Sequence, residues 1–396
     1  MTDQSISRRF RRHFFSGLSL VLIGLAFFFN LPIEAQSGIE IQRTPENGLQ
    51  PRLLQDQSGT VHLLYFRKRS SNPRAREGHL VYRQFDAQSR DWGPAVYVTE
   101  TPFNHADPIY RANFAVDEQG IVHVVWHQSR PTKFFYSHSD RDRTAFEPPR
   151  SMVSEYLEGV DAGADIAVNG SQVAIVWAAG ALIREHERTV YARFSHDNGT
   201  TFSPEIEIGD KALGACACCS LALEFSTRDN LLVAYRSAID GVGRHMQKLH
   251  LDPAKPQPGN NTYDELHPLQ QWELAACPVS TNDITEDYLS QDWLVFETEG
   301  RIIQLNTSDG SNPEPVAEPT TRTRQKNPDI AFSSDNYKLV VWAEGLSFTR
   351  GGSLNWQLFD NNGEPVAAEE KPDFTIPDNS SPATVVTPAG SFLILY

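Results

Sequence analysis

Cysteine is scarce in this chain: four in 396 residues, alongside three methionines. So few cysteines exclude a small disulfide-built scaffold, whose fold would need many more bridges per residue. Basic residues are also outnumbered, 35 Lys and Arg against 50 Asp and Glu, for a formal net charge of -15. A nucleic-acid backbone is therefore excluded as a partner, because phosphate binding needs a basic face. No segment carries a sustained helical period, which excludes a helical bundle. Apolar residues make up 40% and charged residues 21%, values that exclude a disordered chain.

The one long apolar run lies at the N-terminus. Arg8, Arg9, Arg11 and Arg12 precede Phe14–Phe29, an uncharged stretch of about 16 residues, short for a membrane span. The run ends at Pro32 and Ala35, so residues 1–35 read as a signal peptide cleaved between Ala35 and Gln36. No cysteine follows it to take a lipid. The expected product is an exported domain, residues 36–396, periplasmic or extracellular, with no membrane span after cleavage. In an oxidising compartment four cysteines allow two disulfides in three connectivities.

One phrase recurs through the rest of the chain. An apolar run, a polar turn and a second apolar run ending in an aromatic occur in PRLLQDQSGTVHLLYF from Pro51 and RANFAVDEQGIVHVVW from Arg111. The phrase returns in ADIAVNGSQVAIVW, SLALEFSTRDNLLVAY, PDIAFSSDNYKLVVW and SPATVVTPAGSFLILY, with a weaker copy, ITEDYLSQDWLVF, from Ile284. The runs are β-branched and aromatic and are split by turn formers, as in a β-hairpin. A second strand pair follows most copies, and four strands at a period of roughly 45–60 residues predict an all-β propeller. Seven blades are expected, six being the alternative because the Ile284 copy is weak. SGIEIQRTPENGLQP near the N-terminus matches the strand that leads into the second repeat. It should therefore close the ring by pairing with the C-terminal strand of Ser381–Tyr396.

Ser195-His196-Asp197-Asn198-Gly199-Thr200-Thr201-Phe202 fits S-x-D-x-G-x-T-F, with degenerate versions at Ser139 and Asp360. Asp197 is suited to accept turn amides, Gly199 to a positive φ and Phe202 to inter-sheet packing. On these residues the chain resembles the sialidase or BNR-repeat (Asp-box) superfamily. The resemblance narrows to exported bacterial sialidase-like proteins with a C-x-C-C segment, here Cys216-Ala217-Cys218-Cys219, then Tyr235-Arg236 with Arg244, and Cys277-Pro278. It implies Ser195, Asp197, Gly199 and Phe202 as structural positions on the rim away from the active face. It also implies an exo-sialidase glycoside hydrolase, in which three arginines clamp the substrate carboxylate and an activated Tyr attacks. Arg52, Arg236 and Arg244 are the candidates for that clamp, with Arg111 a further one, whereas no Tyr/Glu pair presents itself. The enzymatic question thus stays open, and so does the function. The leading expectation is a propeller that binds or processes a glycan or other anionic small molecule at one channel face. Its alternatives are a non-catalytic scaffold for an envelope protein and a thiolate metal or redox protein.

Propeller connectivity puts the loops that enter each blade on one face with the loops after each second strand. Cys216, Cys218 and Cys219 enter the fourth blade and Cys277 the fifth, so all four belong on that face, beside Arg236 and Arg244. Disulfides are the simplest use for them, but adjacent Cys218 and Cys219 make a strained pair. Four converging thiolates would suit Zn²⁺ or Cu(I), and a low-pKa thiolate beside an arginine would suit redox chemistry. His105, Asp107, His127 and Asp161 fall in loops of the same face and are the candidate ligand contacts. Trp126, Trp177 and Trp342 end second strands and are expected to pack between blades.

Overall fold

Short β-branched runs broken by Asp- and Gly-containing turns fold into seven small sheets, antiparallel but for one pair, arranged as a propeller in the computed structural model. It describes residues 38–396 apart from 73–74, 105–107, 227–229, 256–261, 266–270, 320–322, 346–348 and 368–372. The signal peptide expected over residues 1–35, and the candidates His105 and Asp107, lie outside the described residues.

Blades 1 to 6 begin on the inner strands Leu49–Gln55, Asn113–Val116, Asp161–Asn169, Ala222–Phe225, Asn282–Glu286 and Arg324–Phe332, and each continues outward through at least three more strands. The weak Ile284 copy is a full blade, and the six-blade alternative falls. Blade 7 has three strands: Ala383–Val386, Phe392–Leu395 and, from the other end of the chain, Ile39–Gln42. Ile39–Gln42 pairs with Phe392–Leu395 in parallel, Ile39 opposite Phe392 and Gln42 opposite Leu395. That direction belongs to a strand leading into the next blade, here lying directly against a second strand.

The core is divided between the blades. Seven apolar clusters each join two neighbours, from Leu64, Tyr82 and Trp126 between blades 1 and 2 round to Val61, Val385 and Leu393 between blades 7 and 1. Trp126, Trp177 and Trp342 are fully buried in three of them, where truncation of so large a side chain costs about 3–5 kcal/mol.

The turns repeat one device. Asp56, Asp117 and Asp287 each accept two turn N–H groups on one oxygen, while the other faces a ring nitrogen six residues on, in His62, His123 and Trp293. In blades 1 and 2 the histidine's Nδ1 meets the Tyr82 or Tyr136 hydroxyl, at 2.6 and 2.7 Å. Each imidazole is thus satisfied inside its blade. At the outer hairpin of blade 3, Asp197 accepts from Thr201 N and Thr201 Oγ1 (2.8 and 2.6 Å), and Phe202 meets Tyr136 edge-on. Gly199 has φ 75°, and a Cβ there would overlap the Tyr136 hydroxyl. Asp140 holds Thr144 in the same way in blade 2.

Candidate functional site

Two constellations stand out, one among the inner strands along the channel and one in a loop that enters a blade. The first grows from the repeated phrase. Asp165, Asp283 and Asp329 hold the same place in ADIAV, NDITE and PDIAF, and each carboxylate accepts an N–H from the next blade's inner strand: Leu223 at 2.8 Å, Ile330 at 3.4 Å and Thr384 at 2.8 Å. Inner strands of a propeller share no ladder, so these side chains clasp one blade to the next. Arg52 fills the equivalent place in blade 1. It reaches across to Asp283 at 3.0 Å and to Asp329. Arg111 is buried behind this cluster and donates from Nη2 to Asn282 O at 3.0 Å. Its Nε and Nη1 have no hydrogen-bond partner among the described residues. Burial, reinforced by repulsion from Arg52, lowers its pKa to about 10.

From the Arg52 cluster a cavity of about 890 Å³ runs to the turns at the far end of the inner strands, lined by residues of all seven blades. Acids dominate its charged lining: Asp56, Asp165, Glu224, Asp283, Glu286, Asp287 and Asp329. Burial, with repulsion from Asp283 acting in the same sense, raises Asp165 and Asp329 to about 7 in spite of Arg52. Burial, then repulsion from Asp165, Asp292 and Asp283, also holds Glu224 well above the ordinary carboxylate range. Unlike those of the clasping aspartates, the Glu224 carboxyl makes no hydrogen bond to a described residue.

The second constellation is the cysteine loop. Cys216, Cys218 and Cys219 are buried, Cys277 is exposed, and all four are unbonded. Cys216 Sγ lies 3.5 Å from Cys218 Sγ and 2.8 Å from Cys219 Sγ. Cys218 also falls within 4.8 Å of both Cys277 and a Glu185 carboxylate oxygen. The loop is pinned by backbone bonds from Cys216 N to Arg236 O and from Ser220 N to Ser280 O (2.9 and 3.1 Å), and its sulfurs pack against Ile109, Tyr110 and Val279. Arg188, Arg236 and Arg244 stand close enough for their charges to act on the thiols. Burial pushes the Cys216 thiol up. Burial also opposes ionisation of Cys219. Hydrogen bonds with Cys216 and Cys218, the Arg236 charge and the Ser280 N–H outweigh it and hold that thiol well below its usual range.

The three arginines proposed as a carboxylate clamp do not share an empty site. Arg52 is spent on channel carboxylates. Arg236 donates to Arg244 O (2.7 Å) and Glu297 O and lies over the Trp272 ring, and Arg244 pairs with Glu185. His127 and Asp161 do come together, through Tyr110: the Tyr110 ring stacks on His127 at 4.8 Å, and its hydroxyl donates to Asp161. Burial lowers the His127 pKa. The large cavity, however, opens at the opposite end, and no residue of the cysteine-bearing entry loops lines it. Ile109 and Val279, apolar residues inside loops that composition marks as solvent-facing, pack on the entry face instead. Sequence reasoning also missed Glu185 and Arg188. Arg188 is 0% exposed and donates to Ala215 O, Gly159 O and Gly180 O. In REHER it carries no mark distinguishing it from surface charge.

No family model matches this sequence, and no curated protein is similar to it. Among solved structures, the fold is similar to a Penicillium chrysogenum α-L-arabinanase complexed with arabinobiose, at TM-score 0.52 and 10% identity, over 81% of this chain and 95% of that one. It is similar also to a Dyadobacter fermentans protein of unknown function (0.54, 12%, 80% and 95%). A third is a Fusarium graminearum α-L-arabinofuranosidase in complex with an iminosugar inhibitor (0.50, 11%, 82% and 98%). At such identities the likeness is one of fold, shared with propeller enzymes.

Proposed function

We propose that this propeller takes a short neutral glycan into the channel cavity and acts on it by carboxylic acid–base chemistry. Glu224 carries the reading. It is a carboxyl on the wall of a cavity of about 890 Å³, with no hydrogen bond to a described residue, and biased toward its protonated form by burial and neighbouring acids. A general acid for a glycosidic oxygen needs that state, with ionisable carboxylates nearby to complete a pair. The sugar and sugar-like ligands of the similar structures, arabinobiose in the arabinanase and an iminosugar inhibitor in the arabinofuranosidase, support a sugar as the ligand class, where fold alone would not. A neutral glycan is favoured over a sialoside, since the lining is mainly acidic and Arg52 is already paired.

A panel of aryl glycosides, arabinofuranosides and sialosides included, together with a glycan array tests this. The expected result is turnover or binding of a neutral glycoside, with Glu224→Gln lowering kcat roughly 100-fold. Blank panels and a blank array, or an unaffected Glu224→Gln, would sink it.

The same carboxyls set a pH dependence. Their folded pKa values lie above the unfolded ones, so between about pH 4 and the folded value of about 7 for Asp165 and Asp329 the native state keeps protons that the unfolded chain has released. Stability is therefore full below that window and falls as pH rises through it. Asp197, held at about 2 by its turn hydrogen bonds, loses its contribution only at lower pH. The urea midpoint should be higher at pH 5 than at pH 8, and Glu224→Gln should shrink the difference by raising the pH 8 value. An equal or larger difference in the variant would refute a raised pKa for Glu224.

A further inference from the structure

The cysteine loop lies away from the channel cavity and is not used by the chemistry proposed there. We infer that Cys216, Cys218 and Cys219 form a binding site for one Cu(I) ion, which reaches it through Cys277 and Glu185. The donors are of the right kind: soft thiolates select Cu(I), and they do so best where water is kept out. All three are buried, and the sulfur atoms lie within 4.8 Å of one another. Three sulfurs bound to one ion at about 2.3 Å in a trigonal plane stand roughly 4.0 Å apart. The 3.5 Å between Cys216 and Cys218 is near that value, and the 2.8 Å between Cys216 and Cys219 has to open by about 1 Å, within reach of a χ1 adjustment. Three central thiols fit a three-coordinate ion better than a tetrahedral one.

The surroundings fit anionic ligands. Three thiolates on a monovalent ion leave a charge of about -2, and Arg188, Arg236 and Arg244 lie beside them. Arg244 is fixed by Glu185, and Arg236 by two backbone carbonyls, so these cations are held in place before an ion arrives.

The route in is also visible. A groove of about 290 Å³ on the entry face is lined by Cys277, Glu185 and Arg244, with the exposed side chains of Leu182 and Ile183 among its walls. Glu185, Cys218 and Cys277 make a second donor triplet that shares Cys218 with the buried one. An ion landing at the groove can pass inward by exchanging Cys277 and Glu185 for Cys216 and Cys219 without leaving Cys218. The ion stays Cu(I) throughout, and each incoming thiol gives its proton to solvent.

The test uses the reduced, folded protein under anaerobic conditions, with Cu(I) presented in competition with a chromogenic Cu(I) chelator. The expected result is one equivalent bound, with a thiolate–Cu(I) charge-transfer band in the near ultraviolet and protection of Cys216, Cys218 and Cys219 from alkylation by iodoacetamide. Cys219→Ser should abolish tight binding. Cys277→Ser, at an exposed position that leaves the core intact, should keep the stoichiometry but slow loading at least tenfold. The inference is overturned if reduced protein with four alkylatable thiols takes up no Cu(I), or if Cys219→Ser binds like the parent. It is also overturned if the protein isolates with Cys216 and Cys219 disulfide-bonded and, once reduced, takes up no ion.

Discussion

Replacing Arg52 with alanine is expected to destabilise the protein by about 3–5 kcal/mol at pH 8, the cost of breaking a buried ion pair from one side. Among the described residues Arg52 is the cation that pairs with both Asp283 and Asp329, and Asp165 also feels its charge. Without it, carboxylates already strained by burial face one another with no direct ion-pair partner among the described residues, and Arg111 acts on them at longer range. They cannot simply turn away, since Asp165 and Asp329 hold N–H groups of the neighbouring blades. The remaining escape is protonation. The loss should therefore be smaller at pH 5.5 than at pH 8, since acids whose folded pKa is raised are neutral at the lower pH. Denaturant unfolding at the two pH values measures both quantities. A loss under about 1 kcal/mol at pH 8, typical of exposed pairs, would show that the cluster does not hold the ring together.

The second large effect is expected at Glu297→Ala, again about 3–5 kcal/mol. Glu297 is wholly buried, accepts from Lys326 Nζ at 2.9 Å and caps Gly300 N at 2.9 Å. Its removal strands a buried ammonium whose other contact is Pro278 O. The double replacement Glu297→Leu with Lys326→Met should recover most of the loss, because burying apolar groups of similar size avoids the desolvation of both charges. If the double variant is as unstable as the single one, the destabilisation came from lost packing and not from an unpaired charge. Since Pro278 follows Cys277, the single variant also offers a way to disturb the metal entry route without touching a sulfur.

The blades were readable because their causes are local. Apolar alternation, a turn aspartate and an aromatic at the end of the second run lie within about 16 residues of one another. Blade number and closure by Ile39–Gln42 followed from counting those units. The direction of the closing strand did not, since no residue in SGIEIQ distinguishes parallel from antiparallel pairing. The sites were less legible because their partners come from different blades. Arg52 meets Asp329 across 277 positions of sequence, and Glu224 reads as one more strand glutamate until the channel gathers Asp165 and Asp283 near it. The cysteines were placed on one face by connectivity alone. What the connectivity could not show is that Ile109 and Val279 fold inward over them, so that the deep cavity opens at the other end.

The parallel clasp of Ile39–Gln42 on Phe392–Leu395 alters how the molecule can come apart. Seven blades in an open row would share six interfaces and present two ends from which to unzip; joined, they share seven and present none. Amide exchange in this protein should therefore lack the gradient that runs inward from the tips of linear repeat arrays. The slowest-exchanging amides should be spread around the inner strands, and the first opening to expose them should be release of the clasp itself.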